Sequence, residues 1–374
     1  MSKRKRNILI VIGVLIVYLI VSYFVYTKYK DNKQILPTED VSVVATMSDT
    51  ITKDSSWCAT FQLVWNEMKN EVVKKDIVFY EGNPETVDNL NKEEFDQSMI
   101  SSDYYYIKYG LKTLDLKKEI ENGIKQKFGQ TSDILDSFDW SDSGVDDPNN
   151  NEERRYFFYT MLYRKFEFLK EFDLLDNDMF GNKYENVEYF GIENTSDTSI
   201  KGQIEVLYYN SIDDFAILIN TKSNDEVIYY KNPEGSNFNE IYSNMMNKAK
   251  QYEGNKILNK RDEFKAPKIS LNITREYEEL ENKRFSTADP IYDEGEIEKA
   301  IQTIKFNIDE KGGEIKSEAA IDMGAYTTSV KPEDMEEPRY FNVDDTFVLF
   351  LREKGKSTPY FALRVEDITK FQTK

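Results

Sequence analysis

The chain has 374 residues and a formal net charge of −19, and 31% of its residues are charged. Nucleic acid is an unfavourable partner, because an acidic chain offers no basic patch to neutralise phosphates. Histidine is absent, which excludes Ser-His-Asp and Cys-His catalysis, HExxH zinc sites and the usual imidazole base.

A basic cluster followed by an apolar run opens the chain. Residues 8–26 carry no charge and are long enough to cross roughly 30 Å of hydrocarbon as a helix. We therefore predict a cytoplasmic tail at 1–7, a single-pass signal anchor at 8–26 and a polar stalk at 27–54. This arrangement places the rest of the chain outside the cell, attached to the membrane through the N-terminal helix.

Two amphipathic helices are predicted next. Apolar residues recur at spacings of three and four from Trp57 to Val72, and again from Leu114 to Phe128. The single cysteine, Cys58, is expected to be a buried, inert thiol, and no internal disulfide can form. The acidic stretch 133–153 is predicted to be a solvated loop rather than a calcium site, because Asn150 stands where a bidentate glutamate is needed.

The second half of the chain is rich in strand patterns. The predicted strands are Arg155–Phe168, Val187–Phe190, Gln203–Tyr209, Phe215–Asn220, Glu226–Lys231, Phe264–Ile273, Ile301–Ile308, Phe341–Leu351 and Tyr360–Val365. Helices at Phe238–Tyr252 and Arg275–Glu281 interrupt them. The predicted helices come first along the chain and mostly strands follow. This order predicts an α+β fold with large, mostly antiparallel sheets. No interior linker is evident, so 55–374 is predicted to be one domain.

The segment after strand Ile301–Ile308 has a pattern of its own. The Gly312-Gly313 pair interrupts the alternation, which then resumes. Apolar or small residues would share one face, namely Ile315, Ser317, Ala319, Ile321, Met323, Ala325 and Thr327. Pro332, Pro338 and the acidic residues between them predict an exposed connector. Such a segment is either a fixed strand or one that exchanges between an exposed loop and a buried strand.

Several stretches, in the same order, resemble the serpin family. They are IENGIKQKFGQTSDILD (Ile120–Asp136), FYTMLYRKFEFLKEFD (Phe158–Asp173), IEVLYYNSIDDFAILI (Ile204–Ile219), FKAPKISL, IKFNIDEKGG with SEAA, and FNVDDTFVLFLRE with FALRV. The resemblance fails between about residues 74 and 110. It implies a serpin-like α+β fold with an exposed reactive-type loop at about 312–338.

The resemblance also implies a function and its residues. A serpin-like loop is bait for an extracellular serine or cysteine protease; after cleavage it inserts into a sheet and traps the acyl-enzyme. The chain would then be an inhibitor and not an enzyme, with no cofactor and no metal ion. The implied hinge residues are Gly312, Gly313, Glu314, Ser317, Glu318, Ala319 and Ala320. The implied scissile bond lies near Val330–Lys331, within the window Tyr326, Thr327, Thr328, Ser329, Val330 and Lys331.

Two other functions remain open. Ile315 and Lys316 interrupt the run of small residues that the family hinge has, which favours a non-inhibitory serpin-fold binding module displayed outside the membrane. A surface enzyme based on two carboxylates, such as a glycosidase, has no supporting motif beyond the abundance of Asp and Glu.

Overall fold

A computed structural model describes residues 37–132, 134–140, 156–193, 198–288, 294–316 and 337–372. The chain from Pro37 to Lys374 clusters as one compact unit. The predicted anchor at 8–26 lies outside the described residues. Within the described ranges, no helix is both long and apolar enough to cross a membrane.

The helices are short and few in the described part of the chain. They are α1 (Thr60–Glu67), α2 (Glu85–Asn91), α3 (Leu114–Phe128), α4 (Thr198–Lys201) and α5 (Phe238–Gln251). Helix α3 shows how local sequence sets its ends: the Thr113 hydroxyl accepts from the Leu116 amide, and Gly129 closes the helix in the left-handed conformation. Its buried stripe repeats every four residues, at Leu116, Ile120, Ile124 and Phe128.

Strands make up most of the described unit. They are β1 (Ser42–Val44), β2 (Ser55–Cys58), β3 (Tyr105–Leu111), β4 (Tyr156–Leu162), β5 (Arg164–Glu167), β6 (Asp173–Leu174), β7 (Asp178–Phe180), β8 (Tyr184–Val187), β9 (Tyr189–Gly191), β10 (Ile204–Ser211), β11 (Asp214–Asn220), β12 (Asp225–Lys231), β13 (Glu263–Pro267), β14 (Ile269–Glu276), β15 (Lys283–Ser286), β16 (Glu294–Ile297), β17 (Ile301–Asp309), β18 (Gly312–Ile315), β19 (Tyr340–Asn342), β20 (Phe347–Glu353) and β21 (Pro359–Val365).

A seven-stranded sheet forms the centre of the core, in the order β1-β2-β21-β20-β12-β11-β10. Its middle strands are buried on both faces, so they appear in the sequence as nearly continuous apolar runs such as Phe347–Leu351. A four-stranded sheet has the order β19-β13-β9-β6, and another has the order β14-β17-β18-β5. Strands β3 and β4 pair with each other, and only Tyr163 separates β4 from β5.

The predicted α+β fold class is confirmed, because helices and mostly antiparallel sheets occur together in one compact unit. Among the described strand pairs, β1–β2 and β13–β19 are parallel and the rest are antiparallel. The predicted strands at 203–209, 215–220, 226–231, 301–308 and 360–365 are all present within a few residues.

Several local predictions are wrong. The stalk prediction fails for 37–54, because β1 joins the central sheet and Val43 is buried. Trp57 lies in β2, and α1 begins only at Thr60. The predicted helix at 275–281 is instead the end of β14 followed by turns. Four predicted strands are each divided between two strands of the structure, namely 155–168 (β4 and β5), 187–190 (β8 and β9), 264–273 (β13 and β14) and 341–351 (β19 and β20).

Candidate functional site

Strand β18 lies between β17 and β5 and is antiparallel to both. Gly312 faces Asp309 on one side and Glu167 on the other, and Ile315 faces Phe306 and Arg164. The hinge predicted to begin an exposed loop therefore begins as a sheet strand, and Ile315 is only 3% exposed.

Two glycines make this close approach possible. Gly312 has φ +149°, and a Cβ there would overlap the Phe166 carbonyl oxygen and lie 2.7 Å from the Glu167 Cα. A Cβ on Gly313 would lie 2.5 Å from the Phe166 ring and 2.8 Å from the Asn307 carbonyl oxygen. These atoms are mostly backbone atoms held in neighbouring strands, so they have little freedom to move aside.

Polar contacts hold the outer face of β18. The Tyr163 hydroxyl donates to the Glu314 carboxylate at 2.9 Å, and Lys165 stands directly opposite Glu314 on β5. Just beyond the strand, the Lys316 ammonium donates to the Thr131 carbonyl at 2.9 Å. These contacts set the register of β18 and bring the segment after α3 over its C-terminal end.

Among the described residues, the sheet has a gap beyond Ile315. Residues 301–305 of β17 pair only with β14, and β4 pairs only with β3, in that part of the chain. The edges of β17 and β4 that face each other therefore have no described strand between them. This gap continues along the line of β18.

An apolar cavity of about 170 Å³ lies at the gap. Helix α1 contributes Phe61, Val64 and Trp65 to its wall, and both facing strands contribute side chains, including Thr160 and Gln302. Cys58 also lines the cavity, and burial raises the pKa of its thiol. The thiol is therefore neutral near pH 7, and the prediction that the cysteine is buried is confirmed.

Arg164 joins the end of the gap that lies next to β18 to the central sheet. Its side chain is fully buried, with Nε 2.6 Å from Asp225 and Nη1 3.5 Å from Glu353. The guanidinium carbon lies 3.4 Å from the centre of the Tyr104 ring and 4.8 Å from that of Tyr360. Since carboxylates and aromatic faces both stabilise the cation, this cluster fixes β5 against β12, β20 and β21.

Arg339 anchors the chain directly before β19. Its guanidinium donates to the buried Asp262 carboxylate from Nε at 3.0 Å and from Nη2 at 2.7 Å. It also donates to the carbonyl oxygens of Asn255 and Ile257, both at 2.7 Å. The start of β19 is thus held in place by contacts that do not involve β18.

The predicted site residues divide into two groups. Gly312, Gly313 and Glu314 lie in β18. The other hinge residues and the scissile window lie outside the described residues; these are Ser317, Glu318, Ala319, Ala320, Tyr326, Thr327, Thr328, Ser329, Val330 and Lys331. Within the described ranges, no group of three or more side chains could hold a metal ion.

Sequence reasoning missed the groups that surround the gap. The strand at 155–168 was predicted, but the burial of Arg164 among its apolar neighbours was not. An arginine in an otherwise buried strand position, with Asp225 and Glu353 in other predicted strands, was a signal of a buried ion cluster. Nothing in the sequence indicated that Thr160 and Gln302 face each other across a gap.

Comparison with known proteins gives a fold-level likeness. No protein-family model matches the sequence, and no curated protein matches it. Serpin48 of the insect Tenebrio molitor is similar at 12% identity and a TM-score of 0.42, over 84% of this chain and 92% of that chain. Human thyroxine-binding globulin with thyroxine is similar at 15% identity and a TM-score of 0.38, over 71% of this chain and 77% of that chain.

Another structure of thyroxine-binding globulin with thyroxine matches at 15% identity and a TM-score of 0.40. That match covers 67% of this chain and 64% of the globulin chain. These solved structures are serpins, the family that the sequence resembles. Since these three TM-scores are all below 0.5, what the site does has to follow from this chain's own residues.

Proposed function

We propose that the chain is a membrane-anchored, outward-facing, serpin-like protease inhibitor that acts as a pseudo-substrate. An extracellular serine or cysteine protease cuts the loop that follows β18, and the new end then enters the gap as a strand. The supporting observation is that the gap between β17 and β4 continues the line of a strand that is already seated.

The register of β18 gives the proposed path of the entering strand. Because Ile315 faces Arg164 and Phe306, the same register places Ala319 opposite Thr160 and Gln302. Alternate residues point to the same face, so Ser317, Ala319, Ile321 and Met323 would follow Ile315 inward. These are the small and apolar residues of the segment, as burial requires.

Under this proposal insertion follows cleavage, because cleavage removes a restraint on the segment. Burying Ile321 and Met323 contributes about 1.5–3 kcal/mol each, and each new ladder hydrogen bond contributes about 1 kcal/mol net. Ordering opposes this by about 1–2 kcal/mol per residue. In the uncut chain, the contacts of Arg339 with Asp262 hold the far end of the loop at β19, and cleavage releases the N-terminal part from that anchor.

The chemistry belongs to the protease. Its nucleophile attacks the carbonyl carbon of the scissile bond, forms an acyl bond to the loop, and releases the segment that carries the new amine. Insertion then carries the acylated residue away before water completes hydrolysis. This chain supplies the loop, the gap and the insertion free energy, and no catalytic group.

The test combines a nick with two matched substitutions. Proteolysis within 326–331 should raise the melting temperature by roughly 5–10 °C, since each kcal/mol shifts it by about 2 °C in a protein of this size. Ala319→Arg should abolish the rise because its side chain would face inward. Ala319→Ser should leave the rise intact because a small side chain at the same inward position can still be buried.

A denaturing gel completes the test. Incubation with a panel of serine and cysteine proteases should give a covalent complex that survives boiling, and Ala319→Arg should convert it to simple cleavage. An unchanged melting temperature after nicking the unsubstituted chain would refute insertion, as would equal behaviour of Ala319→Arg and Ala319→Ser.

A non-inhibitory binding module is the second candidate. The contacts of Tyr163 with Glu314 and of Lys316 with Thr131 support it. Both contacts tie the start of the segment to neighbouring elements, as a segment that stays in place requires. Under this function the nick leaves the melting temperature unchanged, and no protease forms a stable complex.

The outward location is a separate proposal that rests on residues 8–26. A C-terminal epitope tag should bind antibody on intact cells, and removal of residues 1–26 should release the protein from the membrane fraction. Antibody binding only after permeabilisation would contradict the proposed orientation.

A further inference from the structure

Strand β3 pairs with β4 along one edge, and in the described part of the chain no strand pairs with its other edge. The pairing with β4 runs through Tyr105–Leu111 without a register shift. Two other sheet edges are covered by neighbouring segments. On β14 the Asn272 carbonyl accepts from the Thr38 amide. On β10 the Val206 amide donates to the Lys256 carbonyl. The outer edge of β3 is instead a free template for another strand.

One hydrogen bond shows which backbone groups of β3 point outward. The Tyr163 amide donates to the Tyr104 carbonyl at 3.3 Å, one step before the first residue pair of the β3–β4 ladder. Because directly bonded pairs alternate along an antiparallel ladder, every second residue counted from Tyr104 bonds to β4. The amides and carbonyls of the residues between them point to the outer edge. Those of Ile107, Tyr109 and Leu111 have no hydrogen-bond partner among the described residues.

Two glutamates lie on the side of this edge that faces α1. Glu67 ends α1, and Glu71 lies in the π-helical segment that continues it. The Tyr109 hydroxyl donates to the Glu71 carboxylate at 3.2 Å. The Gln97 side chain joins Glu67 to β3. Its nitrogen donates to the Glu67 carboxylate at 3.2 Å, and its oxygen accepts from the Tyr105 hydroxyl at 3.0 Å.

Neither carboxylate has a cation beside it. Within the described ranges, no lysine or arginine forms a salt bridge with Glu67 or Glu71. Burial and the charge of Glu71 raise the pKa of Glu67, as a neighbouring like charge does when no cation offsets it. Lys108, the one charged residue of β3, is engaged on the opposite side of the strand by Glu119 at 2.6 Å. An added strand would therefore meet uncompensated negative charge on the side that faces α1.

We propose that β3 docks an extended segment of a partner protein that carries lysine or arginine at every second position, antiparallel to β3 and with its basic side chains at Glu67 and Glu71. Directly opposite residues of an antiparallel pair interact on the same face, so the basic residues lie opposite Ile107 and Tyr109. Their own amides are then the ones that bond to β3. The net charge of −19 attracts a basic partner and repels a second copy of this chain. The docking edge is independent of the loop and of the gap.

A labelled probe tests the pairing directly. The probe is a capped peptide of alternating lysine and valine, as long as β3, and its fluorescence anisotropy is followed during titration with the full chain. Binding should saturate, and a peptide with glutamate in place of lysine should not bind. N-methylation of the lysine amides should abolish binding, because those amides face β3. N-methylation of the valine amides, which face solvent, should change the affinity by less than about threefold.

Two matched double variants locate the charges. Glu67→Gln with Glu71→Gln should weaken binding of the lysine peptide roughly tenfold, the effect of two lost, partly exposed ion pairs. Glu185→Gln with Glu188→Gln removes the same charge from exposed positions at the β7–β8 hairpin. This control should change the affinity by less than about twofold.

Hydrogen exchange tests the edge itself. The amides of Ile107 and Tyr109 should exchange more slowly at saturating peptide, whereas the Lys108 amide, which bonds to β4, should be unchanged. The proposal is overturned if the lysine peptide does not bind saturably, if the two methylated peptides bind equally, or if the two double variants do. A concentration-dependent dimer that protects the same amides without peptide would assign the edge to a second copy, and would overturn it as well. None of these results bears on the nicking test, so the docking edge and the inhibitor proposal fail separately.

Discussion

Replacing Gly312 by alanine should displace or strain β18, the strand from which the proposed insertion begins. Gly312 has φ +149°, a conformation that side-chain-bearing residues rarely adopt. Its Cβ would also overlap the Phe166 carbonyl oxygen and lie 2.7 Å from the Glu167 Cα. Both atoms belong to the backbone of β5, so the overlap cannot be relieved by a side-chain rotation.

The Gly312→Ala variant can respond in two ways, and the two cost similar amounts of unfolding free energy. If β18 stays, backbone strain costs about 1–3 kcal/mol and the overlap adds to it. If β18 leaves, the chain loses the burial of Ile315, about 1.5–3 kcal/mol, and ladder bonds of about 1 kcal/mol each. Chain entropy of about 1–2 kcal/mol per released residue offsets part of that loss. We expect a decrease of about 3 kcal/mol in the free energy of unfolding.

Gly355→Ala is the matched control. Gly355 also has a positive φ, +83°, but nothing lies within 4 Å of the position of its Cβ. Its substitution should therefore cost only the conformational term, about 1 kcal/mol. The difference of about 2 kcal/mol between the two variants measures the close approach between strands.

Urea unfolding measures both variants, and hydrogen exchange locates the change. The peptide that spans residues 304–316 should lose amide protection in Gly312→Ala and keep it in Gly355→Ala. Equal destabilisation by the two substitutions, with protection retained, would show that β18 does not approach β5 as closely at Gly312 as the structure indicates.

Two further predictions concern buried charges. Arg164→Met leaves the carboxylates of Asp225 and Glu353 buried without their cation, and should reduce the free energy of unfolding by about 3–5 kcal/mol in urea at pH 7. For Glu310, burial is the largest influence and acts to raise the pKa, but the contact with Lys268, a backbone hydrogen bond and the charge of Lys311 together outweigh it and hold the pKa below its ordinary 4.5. The pair therefore stabilises fully above about pH 4.5 and loses its effect as pH falls through the lower folded-state pKa. Lys268→Met should remove this acid-side slope from the curve of unfolding free energy against pH.

Arg364→Met is the control for Arg164→Met. Arg364 lies 3.7 Å from a partly exposed Glu366, so its substitution should change the free energy of unfolding by less than about 1 kcal/mol. A loss below about 1 kcal/mol for Arg164→Met would mean that its two carboxylates reach water. For the second, an acid-side slope that survives Lys268→Met would assign the pH dependence to other carboxyl groups.

Local periodicity accounts for what was predicted correctly. The stripe from Leu116 to Phe128 repeats at helical spacing, and the residues of 301–308 alternate as a half-buried strand does. Both patterns report contacts with a core that lies on one side of the element. The class of fold follows from such patterns, because each can be recognised within a dozen residues.

Short-range patterns also explain the errors. Residues 37–54 are polar enough to resemble a stalk, but Ser42–Val44 pair with Ser55–Trp57 along an edge of the central sheet. Trp57 and Cys58 continue the helical spacing of α1, although they pair with β21. In each case a sheet edge elsewhere in the chain supplies hydrogen-bond partners that the local sequence does not reveal.

The sequence alone determined that the residues after Gly313 alternate between apolar and polar, and therefore that one face of this segment tolerates burial. Only the tertiary structure decided that Gly312–Ile315 lie between β17 and β5, and that a gap and a cavity follow along the same line. The physical reason is that strand pairing depends on hydrogen-bond partners from distant parts of the chain, here β5 about 150 residues before β18. Burial tolerance is a property of the segment, whereas a vacant position in a sheet is a property of its neighbours.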